Sequence, residues 1–333
     1  MKRKYLILIP IIILFIISII YLPTSLKIKQ SIWVSLSLII CFIISKIKFK
    51  KILKYSMLMY ILIIILLILV LVLNKFTNGS RGWITLGSIS IQPSEFLKPV
   101  LILMSIKYLK INNFLYLLIY LIPCILIFLE PDTGGVIYCL ILLLYFLNIK
   151  LKRKEKLIYS SIIISILILF IFVYLNNQDF LIKTLGTTMF YRIDRITNFF
   201  SDNSIQTTNA LISIANSKTL YFPEMFNDFF ISYILSNNIM LIIPIILSTI
   251  ILLIMIYKKN TTISKAVFYV FLWQAWWNIA MNLKLVPVIG IPYLFLSYGG
   301  SHILSSMIII GLIISMGDNN KDYKNKAVAY ILD

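Results

Sequence analysis

The sequence predicts an all-α polytopic membrane protein, and three observations carry that reading. Apolar residues make up 60% of the 333 positions and charged residues only 13%, about half the charged share of an ordinary soluble domain. Long apolar runs such as Tyr5–Leu22 and Ile52–Leu73 match the ~20 residues that a helix needs to cross ~30 Å of hydrocarbon. These runs lack the alternation of a membrane barrel, and a helix satisfies its own backbone polar groups in lipid.

Ten spans are expected, near 5–22, 31–45, 52–73, 93–109, 113–130, 133–149, 157–175, 224–257, 263–284 and 298–316. The first follows Lys2, Arg3 and Lys4, as a secretory signal would. It is longer than a signal core and no small-x-small cleavage site follows, so it reads as a retained span. The eighth is long enough to tilt or to extend beyond the bilayer.

Basic residues test this count independently. They gather at Lys2–Lys4, Lys46–Lys54, Lys107–Lys110, Lys150–Lys156 and Lys258–Lys265, the alternate loops being poorer in Lys and Arg. Basic loops stay inside, so both termini are assigned to the cytoplasm. The chain reads as one integral membrane domain, 1–333, with a long extracytoplasmic loop at 176–223 and a short cytoplasmic tail at 317–333. That loop is too apolar for a disordered linker, and re-entrant or interfacial helices are expected in it. The net charge of +19 is accounted for by these topology signals, which excludes a nucleic-acid partner. Cys41, Cys124 and Cys139 sit inside apolar runs without ligand spacing, and His302, the single histidine, has no companions for a metal site.

The polar residues of the outer loops fall into four segments. The first runs from Asn78-Gly-Ser-Arg81-Gly-Trp83 to Gln92-Pro-Ser-Glu95-Phe-Leu-Lys98. Pro93 suits the first position of a helix, Glu95 then falls in the first turn, where the helix dipole favours an anion, and Lys98 lies on the same side. An ammonium at that depth needs a partner or a polar cavity. Both a structural Glu95–Lys98 pair and a cavity cation for an anionic substrate fit. The second segment, Glu130-Pro-Asp132-Thr-Gly-Gly135, is a tight turn in which Asp132 either caps the next helix or offers an acid to a cavity. The third, Pro223-Glu224-Met-Phe-Asn-Asp228, puts two carboxylates four residues apart, and so on one face at the expected start of the eighth helix. The dipole favours their ionisation and mutual repulsion opposes it. Either two solvated acids or a general base fits. The fourth, Val286-Pro to Ser297-Tyr-Gly-Gly-Ser301, breaks an apolar stretch with prolines and glycines, as backbone lining a cavity does.

Taken in order, these segments resemble the SEDS family (shape, elongation, division and sporulation), which includes FtsW, RodA and SpoVE. The matching motifs are Gly79…Trp83-Ile…Leu-Gly87, Gln92-Pro-Ser-Glu-Phe…Lys98, Pro131-Asp132…Gly134, Pro223-Glu224…Asp228-Phe and Pro287-Val…Gly-Ile-Pro292…Ser297-Tyr-Gly-Gly-Ser301. The resemblance implies a ten-span SEDS-type fold and a peptidoglycan glycosyltransferase that polymerises lipid II at the outer face of the bacterial cytoplasmic membrane. It implies a class B penicillin-binding protein as partner and an undecaprenyl-linked glycan as substrate and product. It implies Asp228 as the catalytic base. Lys98, Glu95, Trp83, Arg81, Glu224, Asp132 and Ser297 are then the substrate-binding candidates. A divalent cation is the one candidate cofactor, without a dedicated cage.

The chain departs from the family pattern near that site. Phe226-Asn227 stands for His-Thr, Ser236-Asn-Asn-Ile239 for Glu-Glu-Leu-Gly, His302 for a second serine, and Gly82 for a frequent arginine. Two alternatives stay open: these changes leave a catalytically weak homologue that scaffolds a class B penicillin-binding protein, and the broken fourth segment with Lys98 at membrane depth leaves a flippase for lipid-linked precursors.

Overall fold

A computed structural model of the chain describes residues 2–73, 82–87, 89–177, 180, 182–183, 205–217, 221 and 224–316. Each of the ten expected spans contains a helix. In chain order the helices are α1 (Leu8–Tyr21), α2 (Thr24–Lys46), the short α3 (Phe49–Lys54), α4 (Ser56–Leu73), α5 (Pro93–Lys107), α6 (Asn113–Leu129), α7 (Thr133–Lys150) and α8 (Arg153–Asn176). They continue with α9 (Ile205–Ala215), α10 (Phe230–Asn237), α11 (Ile242–Lys258), α12 (Thr262–Asn282) and α13 (Gly300–Ser315). Among the described residues, four helical segments are long and apolar enough to cross a membrane: Thr24–Lys46, Ser56–Leu73, Thr133–Lys150 and Ile239–Lys258.

Outward faces of these helices are as apolar as the buried ones. On α1, Ile9, Ile13, Ile16 and Ile20 are exposed while Ile11, Leu14 and Phe15 are buried. Water would penalise such a surface, and hydrocarbon does not. Gln30, Ser18 and Ser37 point inward, fully buried on the first two helices.

The eighth span is not one helix, which corrects the expectation of a single long segment at 224–257. It consists of a turn at 224–229, then α10, a 3-10 turn at Ile239–Leu241, and α11. The break has a local cause. Asn238 is extended, and its side chain accepts from Met240 N–H at 3.1 Å. Asn237 and Ser236 turn back to Tyr233 O. Three short polar side chains in a row thus offer the backbone partners that compete with helix continuation.

Between α4 and α5, strands β1 (Ile84–Leu86) and β2 (Ile89–Ile91) form an antiparallel hairpin with Ile84 opposite Ile91. Gly87 turns it in the left-handed region, at φ +61°. α13 packs closely on α2: a Cβ on Gly300 would stand 2.2 Å from the Trp33 indole, and one on Gly311 would stand 3.1 Å from Cys41 O. Small residues bring these helices together, as they do in membrane bundles generally. α13 also packs on α5, α4 on α5 and α6, and α1 on α11. α9 lies in the long loop, as expected for a helix there. Arg81, most of the 176–223 loop and the 317–333 tail lie outside the described residues.

Candidate active site

Helix α5 begins where the sequence places it, with Pro93 at its first position. One turn in, Glu95 Oε1 accepts from Lys98 Nζ at 2.6 Å. Glu95 is buried, and its other oxygen, Oε2, accepts from Ser305 Oγ at 3.1 Å and faces His302 Nδ1 at 3.4 Å. Lys98 Nζ also lies over the Tyr138 ring, 5.1 Å from its centroid. The spacing of Glu95 and Lys98 thus produces an ion pair, and the ammonium keeps two further N–H donors.

Asp132 caps α7 by accepting from Gly135 N–H at 2.8 Å through Oδ1. Its Oδ2 accepts from Gln92 Nε2 at 3.0 Å and from Ser94 Oγ at 3.1 Å, which locks the start of α7 to the start of α5. Gln92 N–H in turn donates to Ser301 Oγ at 3.0 Å, adding α13 to the junction. Beside it lies Glu130, fully buried, with neither carboxylate oxygen hydrogen-bonded among the described residues. Burial, reinforced by the neighbouring Asp132, pushes its carboxyl up to about 8.

The first turn of α7 presses on the broken segment at 287–292. Thr133 Oγ1 donates to Ile289 O at 3.3 Å. A Cβ on Gly134 would sit only 3.1–3.3 Å from Ile291 Cγ1, Gly290 O and Ile289 O, so glycine permits the approach. On its other side, Gly290 faces Asp228: a Cβ there would stand 3.7 Å from Asp228 Oδ2.

Asp228 sits on the turn before α10, not on a helix face shared with Glu224, and here the expectation is corrected. Glu224 adopts φ +61°, and Phe229 N–H bonds back to Glu224 O, a reach longer than a helical turn. Glu224 is exposed and accepts from Asn227 Nδ2 at 2.7 Å. The turn is clamped from outside. Asn278 and Asn282 of α12 donate to the Asp228 backbone carbonyl at 2.8 and 3.0 Å, and Tyr298 N–H donates to Phe226 O at 2.9 Å. Asn278 also donates to Ile291 O at 2.6 Å, so one side chain joins the turn to the broken segment. The Asp228 carboxyl is pushed up to about 7, first by burial, then by the negative charges of Glu224 and Asp132.

Of the other candidates, Ser297 is buried, and its Oγ accepts from Tyr293 N–H at 2.8 Å, holding the turn that leads into α13. Trp83 is 36% exposed where the chain enters β1. Its neighbour Gly82 is buried against Glu130 and Gln92. Among the described residues, no group of three or more His, Cys, Asp and Glu side chains is arranged to hold a metal ion.

Sequence reasoning missed Gln274, Asn278 and Asn282. They recur every fourth residue in the C-terminal half of α12, where the remaining residues are apolar, and all three are buried. A polar stripe of this kind at membrane depth faces the bundle interior, and that pattern was available to find them.

These features define an integral membrane protein with a polar site built where helix starts and broken segments converge. The chain belongs to the FtsW/RodA/SpoVE family of cell cycle proteins, whose family model matches residues 4–322. It is 27% identical over 314 residues to an FtsW sequence of Mesostigma viride, covering 86% of this chain and 74% of that one. It is 25% identical to the peptidoglycan glycosyltransferase MrdB of Helicobacter pylori, covering 86% of this chain and 82% of that one. Its fold is similar to a chain of a peptidoglycan synthase complex that coordinates polymerization and crosslinking (TM-score 0.79, 19% identity, 96% and 98% of the two chains). It is also similar to the rod shape determining protein RodA of Thermus thermophilus (TM-score 0.66, 17% identity, 94% and 95%).

Proposed function

We propose that this protein is a peptidoglycan glycosyltransferase that polymerises lipid II, with Asp228 as its general base. Family membership and the names of its relatives support the reaction class. One observation supports the base. The Asp228 backbone is held by two amides of α12, while its carboxylate has no hydrogen-bond partner among the described residues and faces the broken segment at Gly290. A base held in this way, and pushed up to about 7, is matched to proton abstraction near neutral pH.

The reaction then runs as follows. Asp228 takes the proton of the acceptor sugar hydroxyl. The oxygen attacks the anomeric carbon of the donor, and the bond to undecaprenyl pyrophosphate breaks with its electron pair going to the phosphate oxygen. Lys98 and Arg81 neutralise the developing charge. Glu95 orients Lys98, Asp132 fixes the start of α7, Glu224 keeps Asp228 basic, Ser297 holds the turn into α13, and Trp83 offers a ring to a sugar.

Ten spans with cytoplasmic termini follow from the alternation of basic loops, and they put this site at the outer face of the bacterial cytoplasmic membrane. Similarity to a chain of a synthase complex supports a class B penicillin-binding protein as partner, in wall elongation, division or sporulation. The test is polymerisation of lipid II by the purified protein with that partner. Glycan strands are expected. A scaffold yields no strands, yet its Asp228→Ala variant complements in cells with the partner complex intact. A flippase moves lipid-linked precursor across proteoliposomes without making polymer.

A further inference from the structure

His302 and Gln274 are buried side chains that the mechanism above leaves unused. Its ring lies between two elements. On one side Nδ1 faces Glu95 Oε2 at 3.4 Å, and on the other Nε2 faces Gln274 Nε2 at 3.2 Å. Gln274 Nε2 also donates to Pro292 O at 2.9 Å. Both His302 and Gln274 are at most 5% exposed.

This geometry fixes the protons. A backbone carbonyl only accepts, so the group that Gln274 turns towards Pro292 must be its NH2. The second hydrogen of that NH2 points at His302 Nε2, which must therefore be the unprotonated nitrogen. The ring proton is then on Nδ1 and donates to Glu95. A doubly protonated ring would set one N–H against another at Gln274, so the neutral ring is the form that fits. Glu95 thus receives Lys98 on one oxygen, and His302 and Ser305 on the other.

We propose that His302 is a positioning residue for the ammonium of Lys98. The continuous path Lys98–Glu95–His302–Gln274–Pro292 ties the cation on α5 to the broken segment whose Gly290 faces Asp228. It sets the distance between the group that meets the leaving pyrophosphate and the group that takes the acceptor proton. The positioning role rests on the polymerase reading; the tautomer does not.

Two measurements test it. His302 is the only histidine, so 15N-histidine labelling of the full chain in lipid bilayers gives one imidazole to read by solid-state NMR. The expected state at neutral pH is a neutral ring protonated on Nδ1, converting to the other tautomer or to a mixture in Gln274→Leu. A ring protonated on Nε2, or an imidazolium, in the wild-type protein overturns the proposal without touching the polymerase reading. The second measurement compares His302→Asn with His302→Gln by polymerisation of lipid II with the class B penicillin-binding protein proposed as partner. Asn reproduces the Nδ1 donor to Glu95, and Gln reproduces only the Nε2 end. His302→Asn is expected within about threefold of wild type in kcat, and His302→Gln about tenfold or more below it, as a displaced charged group would give. Equal rates for the two variants leave only a packing role and overturn the proposal. An inactive wild-type protein overturns the polymerase reading and, with it, this role for His302, while the tautomer remains separately testable.

Discussion

Asp228 Oδ2 and Gly290 face each other so closely that a Cβ on the glycine would stand 3.7 Å from the carboxylate. They are 62 positions apart in sequence, and each is held by α12. Asn278 donates both to Asp228 O and to Ile291 O, next to Gly290. The carboxylate therefore keeps a fixed relation to the broken segment, although both lie on irregular backbone.

Gly290 has φ +69°, a region in which a side chain costs ~1–2 kcal/mol. The space itself is ordinary van der Waals room. Gly290→Ala is therefore expected to fold, to lose ~1 kcal/mol in thermal or denaturant unfolding, and to lose activity out of proportion to that loss, because the methyl group enters the approach to Asp228. Full activity in a destabilised Gly290→Ala protein would mean that the substrate hydroxyl does not pass this glycine.

Asn278 and Asn282 share one acceptor. Removing either leaves a donor on the Asp228 carbonyl, and removing both leaves a buried carbonyl unpaired, at ~1–3 kcal/mol. Asn278→Ala and Asn282→Ala are expected to be individually mild on this bond, and the double variant to exceed their sum. A double-mutant cycle on unfolding free energy reads that coupling directly. Asn282 also donates to Asn278 Oδ1 at 3.2 Å, a bond that either single variant already loses, so a double variant clearly milder than the sum would show that the shared acceptor does not dominate the pair.

The pH dependence follows from the Asp228 carboxyl, pushed up to about 7 by burial and by Glu224 and Asp132. A general base must be ionised, so the rate should rise with pH through about 7. Glu224→Gln removes one opposing charge and should move that limb to lower pH. The stability effect has the opposite sense. An acid that is harder to ionise in the folded state favours folding while it is neutral. That contribution is complete below the ordinary carboxylate range and is lost as pH rises through about 7. Asp228→Asn should therefore match wild type in stability near pH 4 and exceed it at pH 8, by on the order of a few kcal/mol at most. Melting curves at the two pH values check the sign.

Gly300 against Trp33 tests the α2–α13 seam. A Cβ at 2.2 Å from the indole cannot be accommodated without movement, and overpacking of this kind costs ~1–3 kcal/mol. Gly300→Ala should destabilise by that amount, and Trp33→Leu should restore part of it. A second-site change that gives no recovery would place the clash elsewhere.

The sequence makes the helices legible because each apolar run is local information. Pro93 as a helix start, Asp132 as a cap and the Glu95–Lys98 pair were readable for the same reason, since every partner lies within three residues. The break at Asn238 was readable in principle from the run Ser236-Asn-Asn238. So was the hairpin, since Ile84-Thr-Leu-Gly87-Ser-Ile-Ser-Ile91 alternates about a turn residue. The pairing of Asn278 with Asp228, or of Gly300 with Trp33, was not legible. Such contacts depend on how distant helices dock, and no local pattern names the partner. The motif order points to the candidate residues, and docking determines which side chains hold them.

Whether Asp228 takes the acceptor proton is read by lipid II polymerisation with purified wild-type and Asp228→Ala proteins, each in complex with the class B penicillin-binding protein proposed as partner. Glycan strands are expected from the wild type, and a rate lower by ~100-fold or more in the variant, as loss of a general base gives, with the complex still assembled. Polymerisation by Asp228→Ala at the wild-type rate would contradict that role.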